Sequence, residues 1–388
     1  MKVLIAPDSF KECLLAVEVA DAMAAGVRTA VGDATIDLCP MADGGEGTVS
    51  AMLAATGGEV RTVEVSGPLG EPVGASFGLL GTLATSADGA RPGRTAVIEM
   101  AVASGLELVE PGRRDPMLTT TYGTGELLLA ALDAGATEVI VGIGGSATVD
   151  GGCGCAQALG VRFTDGFGKC CQSGLGGGDL MDISHVDLSA RDRRIAATRI
   201  LVACDVTNPL VGPDGAAAVY GPQKGASPVM VAVLGYHLAH LARIIHRDLG
   251  VDVEQMPGAG AAGGLGAGLV AFAGARLAGG VEIVADAVGL TRRLEDADIC
   301  ITGEGRFDRQ SLSGKTAVGV ARLASDATVP IICIPGQAAP GVDHDGLFAD
   351  IRPLAAGGVS PAEAMAHARE LLTQRTAEAV AAFVRGIL

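Results

Sequence analysis

Five lysines stand against 23 arginines in this chain, and three of the five, Lys11, Lys224 and Lys315, fall in glycine-rich loops. A lysine so placed is a point charge that can meet a phosphate or a carboxylate. The loops are Asp8-Ser9-Phe10-Lys11, Asp43-Gly44-Gly45, Thr119–Gly125 (with Thr120, Gly123 and Thr124), Gly144-Gly145-Ser146-Ala147-Thr148, Asp205–Pro209 (with Asn208), Gly221–Gly225 (with Gln223) and Gly303–Lys315 (with Glu304 and Arg306). Glycine lets backbone N–H groups approach an anion, and a helix start behind them adds a favourable dipole. Any one such loop is most simply a tight turn. So many of them, carrying hydroxyls and cations, point to phosphate or carboxylate binding. The acidic candidates are Asp8, Asp43, Asp205, Glu304 and Asp308. Each could hold Mg²⁺, act as a general base, or merely cap a helix.

Two sharper motifs fail on inspection. Gly142-Ile143-Gly144-Gly145-Ser146-Ala147 has the spacing of a dinucleotide fingerprint, with Asp165 about 20 residues on. In a chain with 58 glycines a lone match is weak. Gly314-Lys315-Thr316 resembles the end of a P-loop, but Arg309 stands where that motif needs glycine. His237 and His240 have no second ligand at metal spacing and are expected to be a surface or interface pair. The nine cysteines contain no CxxC pair. Cys153 and Cys155 are CxC, Cys170 and Cys171 are adjacent, and Cys39, Cys204, Cys300 and Cys333 lie in apolar runs, so buried, unreactive thiols in a reducing compartment are expected.

The elements that must carry these loops alternate. Val3–Ala6 reads as a strand, with Ser9 and Glu12 as the capping box of the helix that follows. Ile36–Cys39, Glu138–Ile143, a strand ending at Asp205, Asp298–Ile301, Val329–Ile334 and Ala349–Leu354 read as further strands. Between Gly58 and Leu108 the texture changes to strands and turns around Gly67-Pro68-Leu69-Gly70. Ser360, Pro361 and Glu363 mark the start of a long last helix. Strands alternating with helices imply a mainly parallel sheet, covered on both faces, whose ligand crevice lies at the carboxyl ends of its strands. The fold expected is α/β: a discontinuous, doubly wound, Rossmann-like domain from residues 1–60 and 286–388, a second α/β domain from 61–285 inserted in it, and a cleft between them.

The formal net charge of −16 argues against a nucleic-acid partner or an anionic membrane surface. No Trp and a total of 11 Tyr and Phe argue against a base-stacking surface. Val3–Ile5 is too short for a signal-peptide core, and the uncharged run Gln255–Ala275 is too rich in glycine for a good membrane span. A soluble cytoplasmic protein is expected.

Read together, the loops resemble the bacterial type-1 family of glycerate kinases. The resemblance runs nearly end to end: Ala6–Glu12, Ala42–Thr48, Ile98–Ala101, Ala103–Leu106, Thr119–Glu126, Ile143–Thr148 with Asp150-Gly151-Gly152, Cys204–Val206 with Asn208–Leu210, Gly221–Ala226, Pro257–Gly264, and Ile301–Arg306 with Asp308, Gln310, Gly314 and Lys315. It implies ATP-dependent phosphorylation of D-glycerate with Mg²⁺, between two α/β domains, with 2-phosphoglycerate as the product. The departures are Val149, Cys153, Cys155, Leu15, Ser311 and Ala317; none removes a charged candidate, though Leu15 stands where a helix-capping Ser or Thr is expected. On this footing Asp205 is the expected base, Asp43 and Glu304 lie near the metal, and Lys11, Arg306 and Lys315 bind anions. Asp8, Ser9, Gly44, Gly45, Thr120, Gly123, Thr124, Gly144, Gly145, Ser146, Thr148, Asn208, Gln223, Lys224 and Gly263 are expected to line the substrate and nucleotide sites. The rival readings are an NAD-dependent oxidoreductase of a small hydroxy acid and a non-catalytic binding protein for small acids.

Overall fold

A computed structural model describes residues 1–81, 93–309, 311–313, 315–339, 341–342 and 346–387. Gln310 and Gly314, which contribute to the resemblance, lie outside the described residues.

Two sheets organise the chain. The first is wholly parallel, in the order Asp350–Ile351, Ile331–Cys333, Ile299–Thr302, Lys2–Ile5, Thr35–Leu38. Its central strands are short runs of Val, Leu, Ile and Cys because both faces are covered. Val3, Ile5, Ile299, Ile301 and Ile332 face the helices Ala16–Ala30 and Ala368–Val384. Leu4, Cys300, Ile331 and Cys333 face the helix Thr316–Asp326 and its neighbours. Gly26 is where the two outer helices touch: a Cβ there would collide with the Thr373 carbonyl.

The second sheet takes all its strands from the middle of the chain, in the order Arg276–Ala278, Arg199–Ala203, Ala136–Gly142, Arg94–Glu99, Pro72–Leu80, Gly58–Ser66. The first four are parallel, and the last two form an antiparallel edge. One face (Ile98, Val139, Val141, Val202) packs on the helices Tyr122–Asp133 and Ala261–Ala273. The other (Val97, Ile140, Leu201) belongs to the same apolar cluster as Leu4 and Cys300, with Met52, Val281 and Val284 among its members. The helices Thr48–Thr56 and Gly280–Ala287 therefore pack between the two sheets.

Local expectations were corrected in three places. Ser9 and Glu12 do not cap the first helix: residues 10–14 close a tight turn with Glu12 at φ 61°, and the helix starts at Ala16 with Leu15 as N-cap. The Leu15 N–H is met by Glu18 Oε2 at 3.0 Å, the acidic half of a capping box, while Leu15 has no hydroxyl to supply the other half. The last helix is broken at His367 into Pro361–Ala366 and Ala368–Val384, although the Ser360–Glu363 capping box is present as expected. His237 and His240 are not a surface pair. They lie on the helix Pro228–Leu249 and meet the carbonyls of Gly177 and Ile183, both at 2.8 Å, pinning the loop below. That helix is long and apolar enough by composition to cross a membrane, yet its inner face packs Leu234, Leu238, Leu241 and Ile245 into a core cluster, as a core helix does.

Candidate active site

In the first sheet the strand order reverses between Lys2–Ile5 and Ile299–Thr302, and a doubly wound sheet binds ligands at such a switch point. Asp8 follows the first of these strands and Glu304 the second, and the Asp8 N–H donates to the Gly303 carbonyl at 2.8 Å. Asp8 Oδ1 accepts its neighbour Ser9 N–H at 2.7 Å, and Oδ2 accepts the Thr316 hydroxyl at 2.5 Å. Thr316 is the first residue of the helix Thr316–Asp326, whose N-cap, Lys315, supplies no side-chain cap. A helix start with a lysine at its N-cap and a strand-end carboxylate beside it is suited to an anion whose charge a cation shares.

The charges here are strained by burial. Desolvation, with Asp43 adding repulsion, pushes Asp8 up to about 6 despite its hydrogen bonds. Glu304 is pushed up to about 7, again mainly by desolvation, with Ser311 and Lys315 pulling it down and Asp8 and Asp308 pushing it up. Glu304 is 6% exposed, and its Oε1 has no hydrogen-bond partner among the described residues. Lys11 lies in the exposed turn beside Gly305, Lys315 lies within electrostatic reach of Glu304, and the exposed Arg306 pairs with Asp308 at 3.2 Å. The three expected anion binders thus gather around one loop.

The second sheet brings its strand ends to the same crevice. The loop Asp43-Gly44-Gly45 wedges against them: a Cβ at Gly44 (φ 87°) would collide with Ala203, one at Gly142 would meet the Gly44 carbonyl at 2.5 Å, and one at Gly280 would collide with the Asp43 carbonyl. Gly44 is therefore glycine for packing. Asp43 Oδ1 accepts the Gly45 N–H at 3.1 Å. Asp205, just past the strand Arg199–Ala203, accepts the Gly280 N–H at 2.8 Å and is raised by desolvation and by Asp43. Gly144 and Gly145 are exposed at the end of the neighbouring strand, Gly144 beside Gly45. Asp43 thus stands electrostatically between Asp8 and Asp205.

Other expected site residues have different roles. Gly123 lets the helix Tyr122–Asp133 lie against the Ser66 carbonyl, and Thr124 is fully buried against the Ser104 hydroxyl at 2.8 Å. Thr120 is buried and accepts the Tyr122 N–H. Gly263 (φ 67°) is buried where any Cβ would strike the Thr148 carbonyl. Asn208 spends both ends of its amide on Asp214 O and Tyr220 Oη, holding its own loop, and Gln223 is exposed on the turn Pro222–Lys224. Lys224, expected to touch ligand, is 1% exposed and cannot: its Nζ donates to Ser146 Oγ at 2.6 Å and to the Thr148 carbonyl at 2.7 Å. The Thr148 hydroxyl is buried without a partner among the described residues.

Three residues given no role by their sequence turn out to matter. Thr316 orients Asp8. Glu99, at the end of the strand Arg94–Glu99, accepts the Val49 N–H at 2.8 Å and so caps the helix Thr48–Thr56. That helix start is closed to a phosphate. Asp150 is fully buried and takes four donors: Thr121 N and Oγ1, Gly152 N and Gly154 N. For Glu99 the available sequence signal is that Gly47, which precedes the helix Thr48–Thr56, has no side chain with which to cap it.

The dinucleotide reading fails structurally. Gly142–Ala147 leads into a bridge with Gly105 rather than a helix start, and Asp165 spends its Oδ1 on the N–H groups of Phe167 and Lys169 in its own turn. An apolar depression between Leu210–Ala218 and Val231–Gly235 has no charged lining residue and offers nothing to a polyanion.

Comparison with known proteins agrees with the residues. Residues 3–385 match the Glycerate kinase family. The chain belongs to that family. It is 52% identical to the glycerate 2-kinase of Escherichia coli (strain K12) over 337 residues, covering 87% of this chain and 85% of that one. It is 46% identical to the glycerate kinase of Bacillus subtilis (strain 168) over 391 residues, 99% and 98% of the two chains. A crystal structure of a chain described as glycerate kinase 2 from Salmonella typhimurium LT2 superposes with a TM-score of 0.88 at 47% identity, covering 100% of this chain and 98% of that one.

Proposed function

We propose that the protein transfers the γ-phosphoryl group of ATP to D-glycerate in the cytoplasm, giving 2-phosphoglycerate, in the crevice between a lobe of residues 1–60 and 286–388 and a lobe of residues 61–285. The observation that carries the reading is the meeting of Asp8, Asp43 and Asp205 from both sheets at one set of strand ends, with Lys11, Arg306 and Lys315 beside them. The E. coli relative's name supports O2 as the acceptor oxygen.

Phosphoryl transfer asks mostly for positioning and charge stabilisation. Lys315 and the start of the helix Thr316–Asp326 suit the phosphates, and Lys11 and Arg306 suit the glycerate carboxylate or the outer phosphate oxygens. Asp205, fixed through one oxygen by the Gly280 N–H, keeps its second oxygen for the acceptor hydroxyl and takes its proton. The residues fit Mg²⁺ of the kind held by one or two carboxylates, waters and phosphates. Asp43 is close enough to raise both Asp8 and Asp205, Glu304 has an unpartnered oxygen, and no set of three ligating side chains converges among the described residues. Asp43 and Glu304 would hold it, and its charge would neutralise the phosphates. The test is ADP release by purified protein: it should require D-glycerate and Mg²⁺ together. Turnover of a nicotinamide cofactor with a 2-oxo acid, and none of ATP, would reverse the reading.

A further inference from the structure

We propose that Lys224 is a positioning residue that acts on a substrate anion through Ser146, by occupying a lone pair of that hydroxyl and turning its hydrogen toward the crevice. The proposal rests on the reading above and extends it by one step: the Gly144–Thr148 loop, whose Gly144 and Gly145 are exposed at a strand end, is taken to receive an anionic oxygen of the substrate.

The geometry is built for indirect action. Lys224 ends a single turn, Pro222–Lys224, and Gly225 behind it (φ 95°) packs so closely on the Arg114 carbonyl that no side chain fits. Its side chain is enclosed, with Nζ spent on Ser146 Oγ and on the Thr148 carbonyl. Ser146 follows the exposed Gly144 and Gly145, of which Gly144 abuts the Asp43-Gly44-Gly45 loop. The ammonium thus binds the buried part of the loop, and Ser146 is the loop side chain that meets it, next to the two glycines that are exposed at the strand end. Among the described residues Asp150 is the one charged group that faces Lys224 electrostatically, and its carboxylate is already filled by four donors. A buried ammonium so weakly compensated is costly, and its protonation is easily changed.

An ammonium has no lone pair. Beside it, Ser146 Oγ must accept, and the hydroxyl hydrogen is free to donate to an anion. A neutral amine can accept, so the hydroxyl can donate backwards and leave its lone pairs facing the anion. Burial pushes Lys224 down to about 7, against the pull of Asp150, so this exchange falls in the working range. Anion affinity should fall as pH rises through that value. Asp8 and Glu304 titrate in neighbouring ranges from the other sheet, but their effect does not pass through Ser146.

Two measurements test this. With ¹³Cε-lysine labelling the chain shows five lysines, and Lys224→Met assigns the resonance of interest. Calorimetric titration of D-glycerate, and separately of MgADP, at pH 6, 7 and 8 then compares wild type with Ser146→Ala. The two ligands distinguish a carboxylate from a phosphate. For a group titrating at about 7, one ligand should bind wild type about tenfold more weakly at pH 8 than at pH 6. Ser146→Ala should lose most of that dependence, binding at pH 6 nearly as weakly as wild type does at pH 8, while Lys224 still titrates. Equal pH dependence in both proteins overturns the proposal, as does a Lys224 resonance that titrates above pH 9. No binding of either ligand at any pH overturns the reading of the site itself, and the proposal with it.

Discussion

Thr316→Val removes one hydroxyl and keeps the shape of a side chain that is fully buried at the first position of its helix. The lost bond is the 2.5 Å donation to Asp8 Oδ2. A hydrogen bond to a charged group is worth about 1.5–3 kcal/mol, and a pKa unit is about 1.36 kcal/mol, so Asp8 should rise by about one to two units. It would move from about 6 to about 7–8. If ionised Asp8 is needed, the acid limb of kcat/KM moves up by the same interval, while the plateau above pH 9 changes little. Stability follows with a definite sign. The folded value of Asp8 lies above its unfolded one, so its contribution is present below about pH 4 and is lost as pH rises through about 6. Losing the donor to the ionised form makes this worse, so the variant should match wild type at pH 5 and fall behind it at pH 8. Steady-state kinetics from pH 5 to 9.5, with thermal melts at both pH values, read the two effects. An unmoved acid limb, or an equal loss of activity at every pH, would show that the Thr316 hydroxyl does not set the ionisation of Asp8.

Asp205→Asn keeps its shape and its Gly280 contact but cannot take a proton; kcat should fall by roughly 10²–10⁴ with an unchanged circular dichroism spectrum. Lys315→Ala should lower kcat/KM by about 10- to 150-fold if the lysine meets a phosphate or carboxylate, with Lys315→Arg a partial rescue, whereas a solvated charge would leave the kinetics within about twofold. Glu99→Gln should cost about 0.5–2 kcal/mol in denaturant unfolding, because it weakens the only side-chain cap seen on the helix Thr48–Thr56 among the described residues.

The parallel core was legible because strands buried on both faces must be short apolar runs, and Val3-Leu4-Ile5, Ile299-Cys300-Ile301 and Ile331-Ile332-Cys333 are such runs. The strand ends were legible for the same reason, and with them Asp8, Asp43, Asp205 and Glu304. What sequence could not separate was a glycine that admits a ligand from a glycine that admits another backbone. Gly123 and Gly263 have the same loop context as Gly144, yet only Gly144 opens on the crevice. Nor does a buried lysine differ in sequence from an exposed one: Lys224 and Lys315 both follow glycine-rich turns, and only the packing of Gly225 and Ser146 encloses the first. Glu99 was missed because its partner, the helix start at Val49, is 50 residues away in the sequence.

³¹P NMR of a reaction of the purified protein with ATP, Mg²⁺ and D-glycerate reads the activity and the acceptor oxygen together. The γ-phosphate signal of ATP should give way to ADP and a single phosphomonoester whose phosphorus couples to the lone proton on C2, which is 2-phosphoglycerate. A phosphorus coupled to the two C3 protons would contradict the assigned acceptor oxygen, and ATP left intact beside D-glycerate would contradict the activity itself.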